Sequence, residues 1–440
     1  SVNHWNAIWV EIASDEETPA GEFPITLTLT MGEGQEVREL TVSTSVEVIP
    51  AALPEQTLIH TEWFHSDCVA DFYHVDVFSE EHWALLEGQI ACAAEYGINA
   101  LLTPVFTQPL DTAVGGERTT VQLVDVVKEG ESYSFGFEKL DRWVELCRRC
   151  GIKYFEIAHL YTQWGAEHCP KIMATVDGEY KKLFGWESDA VGEEYRGFLN
   201  AFLPALTARM GVDKEHVLFH ISDEPGGAHL AQYNACKAQV AELLKGYTIM
   251  DALSDFDFYQ KGVCEHPVVA SNHVTPFLEH HVPDLWVYYC CGQGYKVSNR
   301  FFGMPSARNR IIGTQFYKYN VAGFLQWGFN FYNAQLSMYH IDPFAVTDAD
   351  GAFPSGDALV VYPGPDGTPW KSLRLLTFNE ALNDLRAFRL LESFTSREFV
   401  MDLLESDLSG EITFFDYPQD AAYLLNLRQR VNQEIKARLK

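Results

Sequence analysis

The sequence predicts an α/β fold: a (β/α)8 TIM-like barrel preceded by a partial antiparallel β-sandwich domain. Three observations carry that expectation. Residues 1–53 alternate apolar and polar side chains with a period of two. From Gln56 one phrase recurs, a helix closed by glycine and an aliphatic residue before a buried strand, at Gly97-Ile98, Gly151-Ile152 and Gly211-Val212. Eight short apolar runs alternate with helical segments, which implies a parallel sheet, and eight such units close a barrel. The expected domains are the partial sandwich at 1–53, the barrel at 56–395 and a strand-helix extension at 396–440.

The N-terminal strand runs are IWVEIAS, FPITLTLTM and LTVSTSVEVIP, separated by acidic or Gly-rich turns such as GEGQE. Ala51-Ala52-Leu53-Pro54 reads as a linker. The first barrel strand is QTLIHTEW. The helix after it starts at the cap Ser79, with Glu80 and Glu81 in its first turn and Trp83, Leu86, Ile90 and Ala94 on one face. Gly97 suits the residue just past its end. The remaining strands are ALLTPVF, KYFEIAHL, HVLFHIS, TIMDAL, HPVVASN, LWVYYC and AGFLQW, with long insertions at 107–135 and 162–190. A doubly wound sheet is the competing topology. FPSGDALVVYPGPDG reads as a loop or hairpin, and a helix from Lys371 to Leu391 would close the barrel. The tail offers a short strand, EITFFDYP, and a helix ending in Lys and Arg.

Composition excludes several functions. The 440 residues carry 61 Asp and Glu against 32 Lys and Arg, a net charge of −29. Nucleic acid and anionic membrane both need a basic face, so neither is an expected partner. At 47% hydrophobic the chain can bury a large core, and no apolar run approaches the roughly 20 residues that span a bilayer. Nine scattered cysteines do not form a secreted disulfide framework. The opening SVNHWNAIWVEI has no signal-peptide pattern. It is already strand-like, so the expectation is a cytoplasmic chain whose N-terminus is truncated inside a domain.

In such a barrel the site lies at the carboxyl ends of the strands. In order, those ends are Trp63, Phe64, His65 and Asp67; Phe106; His159, Tyr161 and Trp164; Asp223-Glu224-Pro225; Asp251 and Asp255; Ser271-Asn272-His273; Tyr288-Tyr289-Cys290; and Trp327 with Asn330 and Tyr332. Aromatic platforms among short polar groups suit a carbohydrate, whose C–H faces stack on rings while its hydroxyls bond to Asp, Asn and His. Asp223-Glu224 is the sharpest feature. Neighbours on a regular strand point to opposite faces, so both carboxylates enter one pocket only if the chain turns there, and Pro225-Gly226-Gly227 supplies a turn. Most glycosidases hold their two carboxyls ~5 Å or more apart. A contiguous pair fits a reaction in which the substrate's own 2-acetamido oxygen is the nucleophile. The same residues also read as an ordinary helix start. Cys147-Arg-Arg-Cys150, Asp348-Ala-Asp350-Gly351, His280-His281 and Gly292-Gln-Gly294 are incomplete motifs, better read as structure than as redox, calcium, metal or nucleotide sites.

The segments WFHSDC (63–68), TPVFTQPLDT (103–112), Asp223-Glu224, FLQWGFNFYN (324–333) and PSGDALVVYPG (354–364) together resemble the glycoside hydrolase family 123 β-N-acetylgalactosaminidases and related barrel proteins. The resemblance implies a β-sandwich ahead of a (β/α)8 barrel. It implies removal of terminal β-linked N-acetylgalactosamine with retention, by acetamido participation and with no metal or other cofactor. Asp223 would orient the acetamido group, Glu224 would be the acid/base, and Trp327 with Tyr288 or Tyr289 would line the sugar subsite. The helix TFNEALNDLRAF and the short sandwich depart from the family's pattern. The alternatives are a glycan-binding barrel without catalysis and a two-carboxylate glycosidase pairing Glu224 with Asp251 or Asp255.

Overall fold

The computed structural model describes residues 8–15, 17–32 and 37–439. The chain opens with an antiparallel hairpin, β1 (Gly21–Met31) and β2 (Arg38–Val48). Barrel strands β3 (Ile59–Glu62) and β4 (Ala100–Thr103) follow, then an insertion with β5 (Asp125–Glu129) and β6 (Ser132–Gly136). Barrel strand β7 (Tyr154–Ile157) precedes a second insertion with β8 (Ile172–Val176) and β9 (Glu179–Phe184). The barrel is completed by β10 (Val217–Phe219), β11 (Thr248–Ala252), β12 (His266–Ala270), β13 (Trp286–Tyr288) and β14 (Gly323–Gln326). A final hairpin pairs β15 (Val361–Pro363) with β16 (Pro369–Lys371).

The eight barrel strands are parallel to their neighbours and close through the β14–β3 pair, so the expected barrel is present and the doubly wound sheet is excluded. Strand alternation divides its side chains into two sets. Leu102, Leu218, Met250, Val268, Trp286, Tyr288 and Leu325 point inward and form one core. Their neighbours Leu101, Phe155, Phe219, Val269, Val287 and Phe324 point outward against the surrounding helices. Ser79 caps the helix Glu80–Glu95 by accepting from the His82 N–H, and Gly97 takes the left-handed conformation just beyond it. The closing helix runs Leu373–Phe394, capped by Ser372. Among the described residues no helix is long and apolar enough to cross a membrane.

Two local expectations are corrected, and a third feature is one the sequence did not predict. IWVEIAS carries no ladder, and the described N-terminal residues form a single two-stranded sheet with no second layer. EITFFDYP is irregular although Ile412 and Phe414 are buried. In EITFFDYP the alternation marks which side chains turn inward, whereas every residue of IWVEIAS is exposed; a strand also needs a neighbour's backbone groups, and neither segment pairs with one. The third concerns the two insertions. They join into one four-stranded sheet, ordered β6-β5-β8-β9, which packs Val126, Ala174 and Phe184 against Phe198 and Phe202 of the helix Glu193–Arg209.

Gly323 marks the tightest contact inside the barrel. It pairs with Trp286 across β13–β14, and a Cβ there would overlap the indole ring. Gly323→Ala is therefore expected to lower unfolding stability by about 1–3 kcal/mol, read by denaturant titration; an unchanged midpoint would show that the ring is not seated on that glycine.

Candidate active site

One pocket opens at the carboxyl ends of the barrel strands. Its wall comprises Trp63 after β3, Leu110 and Asp111 after β4, Gln163 and Trp164 after β7, Asp223 and Glu224 after β10, and Ala252 of β11. Tyr288 and Cys290 of the β13 end, Leu325 and Trp327 of the β14 end, and Phe353 complete it. Seven of the eight strand ends contribute; the sixth, at Ser271-Asn272-His273, does not. Trp327 is held by its indole N–H, which donates to Asp357 Oδ2 at 3.0 Å.

The paired carboxylates share this pocket because the backbone turns between them. Glu224 has φ of 45°, in the left-handed region that a residue with a Cβ enters at a cost. Its N–H donates to the Ala252 carbonyl at 3.1 Å, and the Asp223 carbonyl accepts from the Trp164 N–H at 2.8 Å. Glu224 Oε1 accepts from the Tyr288 hydroxyl at 2.5 Å. Asp223 is different. Burial, then the charge of Glu224, pushes its carboxyl well above the ordinary carboxylate range, and no hydrogen bond from the described residues offsets this.

Beneath the floor lies a buried charge network. Glu156 on β7 accepts from the Trp63 indole at 2.7 Å, from His220 Nε2 at 2.6 Å and from the Thr61 hydroxyl at 2.5 Å. On its other side His220 faces Asp251, with 3.4 Å from Nδ1 to Oδ1. Burial opposes a charged imidazole, but Asp251 and Glu156 hold His220 up at about 10, so it is an imidazolium at neutral pH. Asp251 in turn accepts from the Ile221 and Ser222 N–H groups at 2.9 and 3.2 Å and from the Tyr233 hydroxyl at 2.5 Å. The network thus fixes both Trp63 and the segment that leads into Asp223.

Among the described residues His159, His220 and Asp251 bring possible metal-ligand atoms within 4.8 Å of one another. The two imidazoles are stacked at 4.2 Å with 15° between their planes. Lone pairs of nearly parallel rings lie in nearly parallel planes, and His220 Nε2 is already hydrogen-bonded to Glu156 at 2.6 Å. Through His220 the cluster is tied into the charge network of Glu156 and Asp251. The second such group, Asp213, Glu215 and His216, sits in a turn before β10, away from the pocket.

Of the residues expected to bind substrate, Trp63, Tyr288 and Trp327 line the pocket, as do Asp223 and Glu224. His65, Asp67, His159, Tyr289 and Asn330 do not. His65 is buried behind the wall, its Nε2 2.9 Å from the Trp327 carbonyl, and burial followed by the Arg118 charge lowers its pKa to about 3. Asp67 is clamped by Arg118 through two hydrogen bonds of 2.7 and 2.8 Å. His159 lies under the floor against Trp63 and His220. Tyr289 points outward by strand alternation and donates to Asn309. Asn330 accepts from the His65 N–H. Asp251 is saturated inside the barrel, and Asp255 is the exposed cap of the helix Phe256–Gln260; neither pairs with Glu224 across the pocket. Burial pushes the Cys147 thiol well up, which leaves the CxxC unactivated. Ala252 and Leu325 of the strands line the pocket without being singled out in the sequence, and Leu110, Asp111, Gln163 and Phe353 are the loop residues of the pocket that sequence reasoning missed. They lie on long loops, where strand-end counting does not reach.

Asp67→Asn is expected to cost about 3–5 kcal/mol, because it leaves the Arg118 charge buried and unpaired. Arg118 holds the Asp67 carboxyl below its ordinary value against the effect of burial. The pair's contribution is therefore present above the unfolded pKa and lost as pH falls through the folded one. Denaturation at pH 7 and pH 3 would reveal it; equal losses in the variant and the wild type across that range would contradict it.

Residues 63–391 match the family described as glycoside hydrolase 123, catalytic domain. No curated protein matches the chain. Among solved structures, the chain is similar to a family 123 glycoside hydrolase from Clostridium perfringens, described for its glycolipid glycan hydrolysis. The TM-score is 0.69 at 15% identity, covering 96% of this chain and 76% of that one. A family 5 mannosidase from Rhizomucor miehei aligns with a TM-score of 0.39 at 10% identity, over 75% of this chain and 94% of its own. A Bacteroidetes-affiliated family 5 cellulase aligns with 0.42 at 11%, over 75% and 92%. The match spanning most of the barrel shows that this chain belongs to glycoside hydrolase family 123.

Proposed function

We propose that the pocket removes terminal β-linked N-acetylgalactosamine from a glycan, with retention, using the substrate's 2-acetamido group as nucleophile. One observation carries the reading: two adjacent carboxyls face one pocket, and the inner one, Asp223, has no hydrogen-bond donor among the described residues. An acetamido N–H is a donor of the right kind. Docked against Asp223 it favours the ionised carboxylate and turns the acetamido oxygen toward C1. Glu224 protonates the leaving glycosidic oxygen as the acetamido oxygen bonds to C1 and the C1–O glycosidic bond breaks, giving an oxazolinium ion whose N–H stays paired with the Asp223 carboxylate. Glu224 then takes a proton from water, which opens the oxazolinium ion at C1 from the original face. Trp63, Trp327 and Phe353 supply apolar faces for the sugar ring. The Clostridium perfringens relative, described for glycolipid glycan hydrolysis, supports a glycan as the substrate class.

A panel of aryl β-glycosides with and without a 2-acetamido group tests this. Cleavage confined to the 2-acetamido members is expected. Equal cleavage of plain galactosides would contradict acetamido participation, and binding without turnover would contradict catalysis. Glu224→Gln is expected to lower kcat on unactivated glycosides by at least about a hundredfold, and Asp223→Asn to impair all 2-acetamido substrates. Wild-type rates in both variants would remove the assignment.

Asp223→Asn carries a second expectation. A carboxyl whose folded pKa is raised binds its proton more tightly in the folded chain, so its contribution to stability falls as pH rises from about 4 through the folded pKa. The amide does not ionise. The variant is expected to melt at a higher Tm than the wild type at pH 7, with the gap closing near pH 4; a lower Tm at pH 7 would contradict the strained charge.

A further inference from the structure

The pocket wall after β4 and β7 holds acceptors without donors. Asp111 Oδ2 accepts from the Leu336 N–H at 3.0 Å, while Oδ1 accepts from none of the described residues. Gln163 donates its side-chain N–H to the Thr112 carbonyl at 2.8 Å, yet its Oε1 is buried with no partner. Both residues line the same pocket as Asp223 and Glu224, and the Gln163–Thr112 bond ties their two loops together. The backbone here is strained at Asp111, Leu336 and Ser337, with φ of 40°, 58° and 52°. The Ser337 hydroxyl donates to the Asp111 carbonyl at 2.7 Å. Left-handed non-glycine residues clustered at a pocket rim persist only where the surrounding contacts hold them.

Unpaired acceptors facing a pocket match a ligand edge made of donors, and adjacent sugar hydroxyls are such an edge. We propose that Asp111, with Gln163 beside it, reads the hydroxyls of the terminal sugar ring and so sets which epimer the pocket accepts. This rests on the sugar-binding reading of the pocket given above and adds the residues that determine its specificity. The Gln163–Thr112 bond keeps Gln163 next to the Leu110-Asp111 loop, so the two acceptors share one side of a pocket that also holds Trp63, Trp327 and Phe353. Burial raises the Asp111 carboxyl to about 6. The charged acceptor is therefore present above that pH and lost below it, and KM is expected to rise as pH falls through it.

The test is a cycle between enzyme and substrate variants. Wild type and Asp111→Asn are compared on an aryl N-acetyl-β-galactosaminide, on its gluco epimer, and on its 3-, 4- and 6-deoxy analogues. Asn keeps an acceptor for the Leu336 N–H and does not ionise, so Tm should not fall. The parent substrate is expected to lose at least about tenfold in kcat/KM, and the loss should shrink below about twofold for the analogue lacking the hydroxyl that Asp111 reads. Gln163→Leu should give the same pattern at a neighbouring hydroxyl. An equal loss on every analogue, or none, would overturn the proposal. If wild type cleaves no 2-acetamido glycoside, the acetamido mechanism fails by itself. The same cycle is then read as calorimetric affinity for N-acetylgalactosamine, galactose and their deoxy forms, where analogue-independent affinities would overturn the assignment of Asp111.

Discussion

The site depends on a buried cation. His220 stands at the barrel axis between Glu156 and Asp251, all three fully buried. Each carboxylate alone would be costly there, and so would the imidazolium. Held together by the His220–Glu156 hydrogen bond and the His220–Asp251 ion pair, they form a unit whose disruption leaves an uncompensated charge in the interior. The unit reaches the pocket in two directions, through Trp63 on the Glu156 side and through the Ile221 and Ser222 N–H groups on the Asp251 side. The pocket's floor and its paired carboxylates are therefore anchored to one set of bonds.

Above that anchor, the useful geometry comes from one unfavourable residue. A regular strand would send Asp223 and Glu224 to opposite faces; the left-handed Glu224 brings them to one. The Ala252 carbonyl and the Tyr288 hydroxyl hold Glu224 in that conformation. Asp223, with no such support, keeps a carboxyl that burial disfavours in its charged form. A site of this kind carries its strain before substrate arrives, and a donor from the substrate relieves it.

The barrel was legible in the sequence because its signal is collective. Eight short apolar runs in alternation with helices have one closed solution, and the error of any single boundary does not change it. The carboxylate pair was legible because adjacency on a strand end is unusual and demands a turn. Other site residues were misplaced for a definable reason. Position along the chain says that a residue lies near a strand end, but not which side of the wall it takes. His65, Asp67 and Asn330 follow strands that do line the pocket, yet they turn to brace it, and Tyr289 differs from Tyr288 only by one step of alternation. Asp111 and Gln163 come from insertions whose four-stranded sheet forms between segments about forty residues apart, and no local period encodes such a pairing.

Acetamido participation is the claim on which the rest of the functional account turns, and it is most directly tested by weakening the nucleophile. Successive fluorination of the N-acetyl group lowers the basicity of its carbonyl oxygen while changing its size little. With aryl N-acetyl-, fluoroacetyl-, difluoroacetyl- and trifluoroacetyl-β-galactosaminides, the account predicts that kcat/KM falls steeply and monotonically along the series. Rates that do not respond to the fluorine count would place the nucleophile on the protein or on water and contradict it.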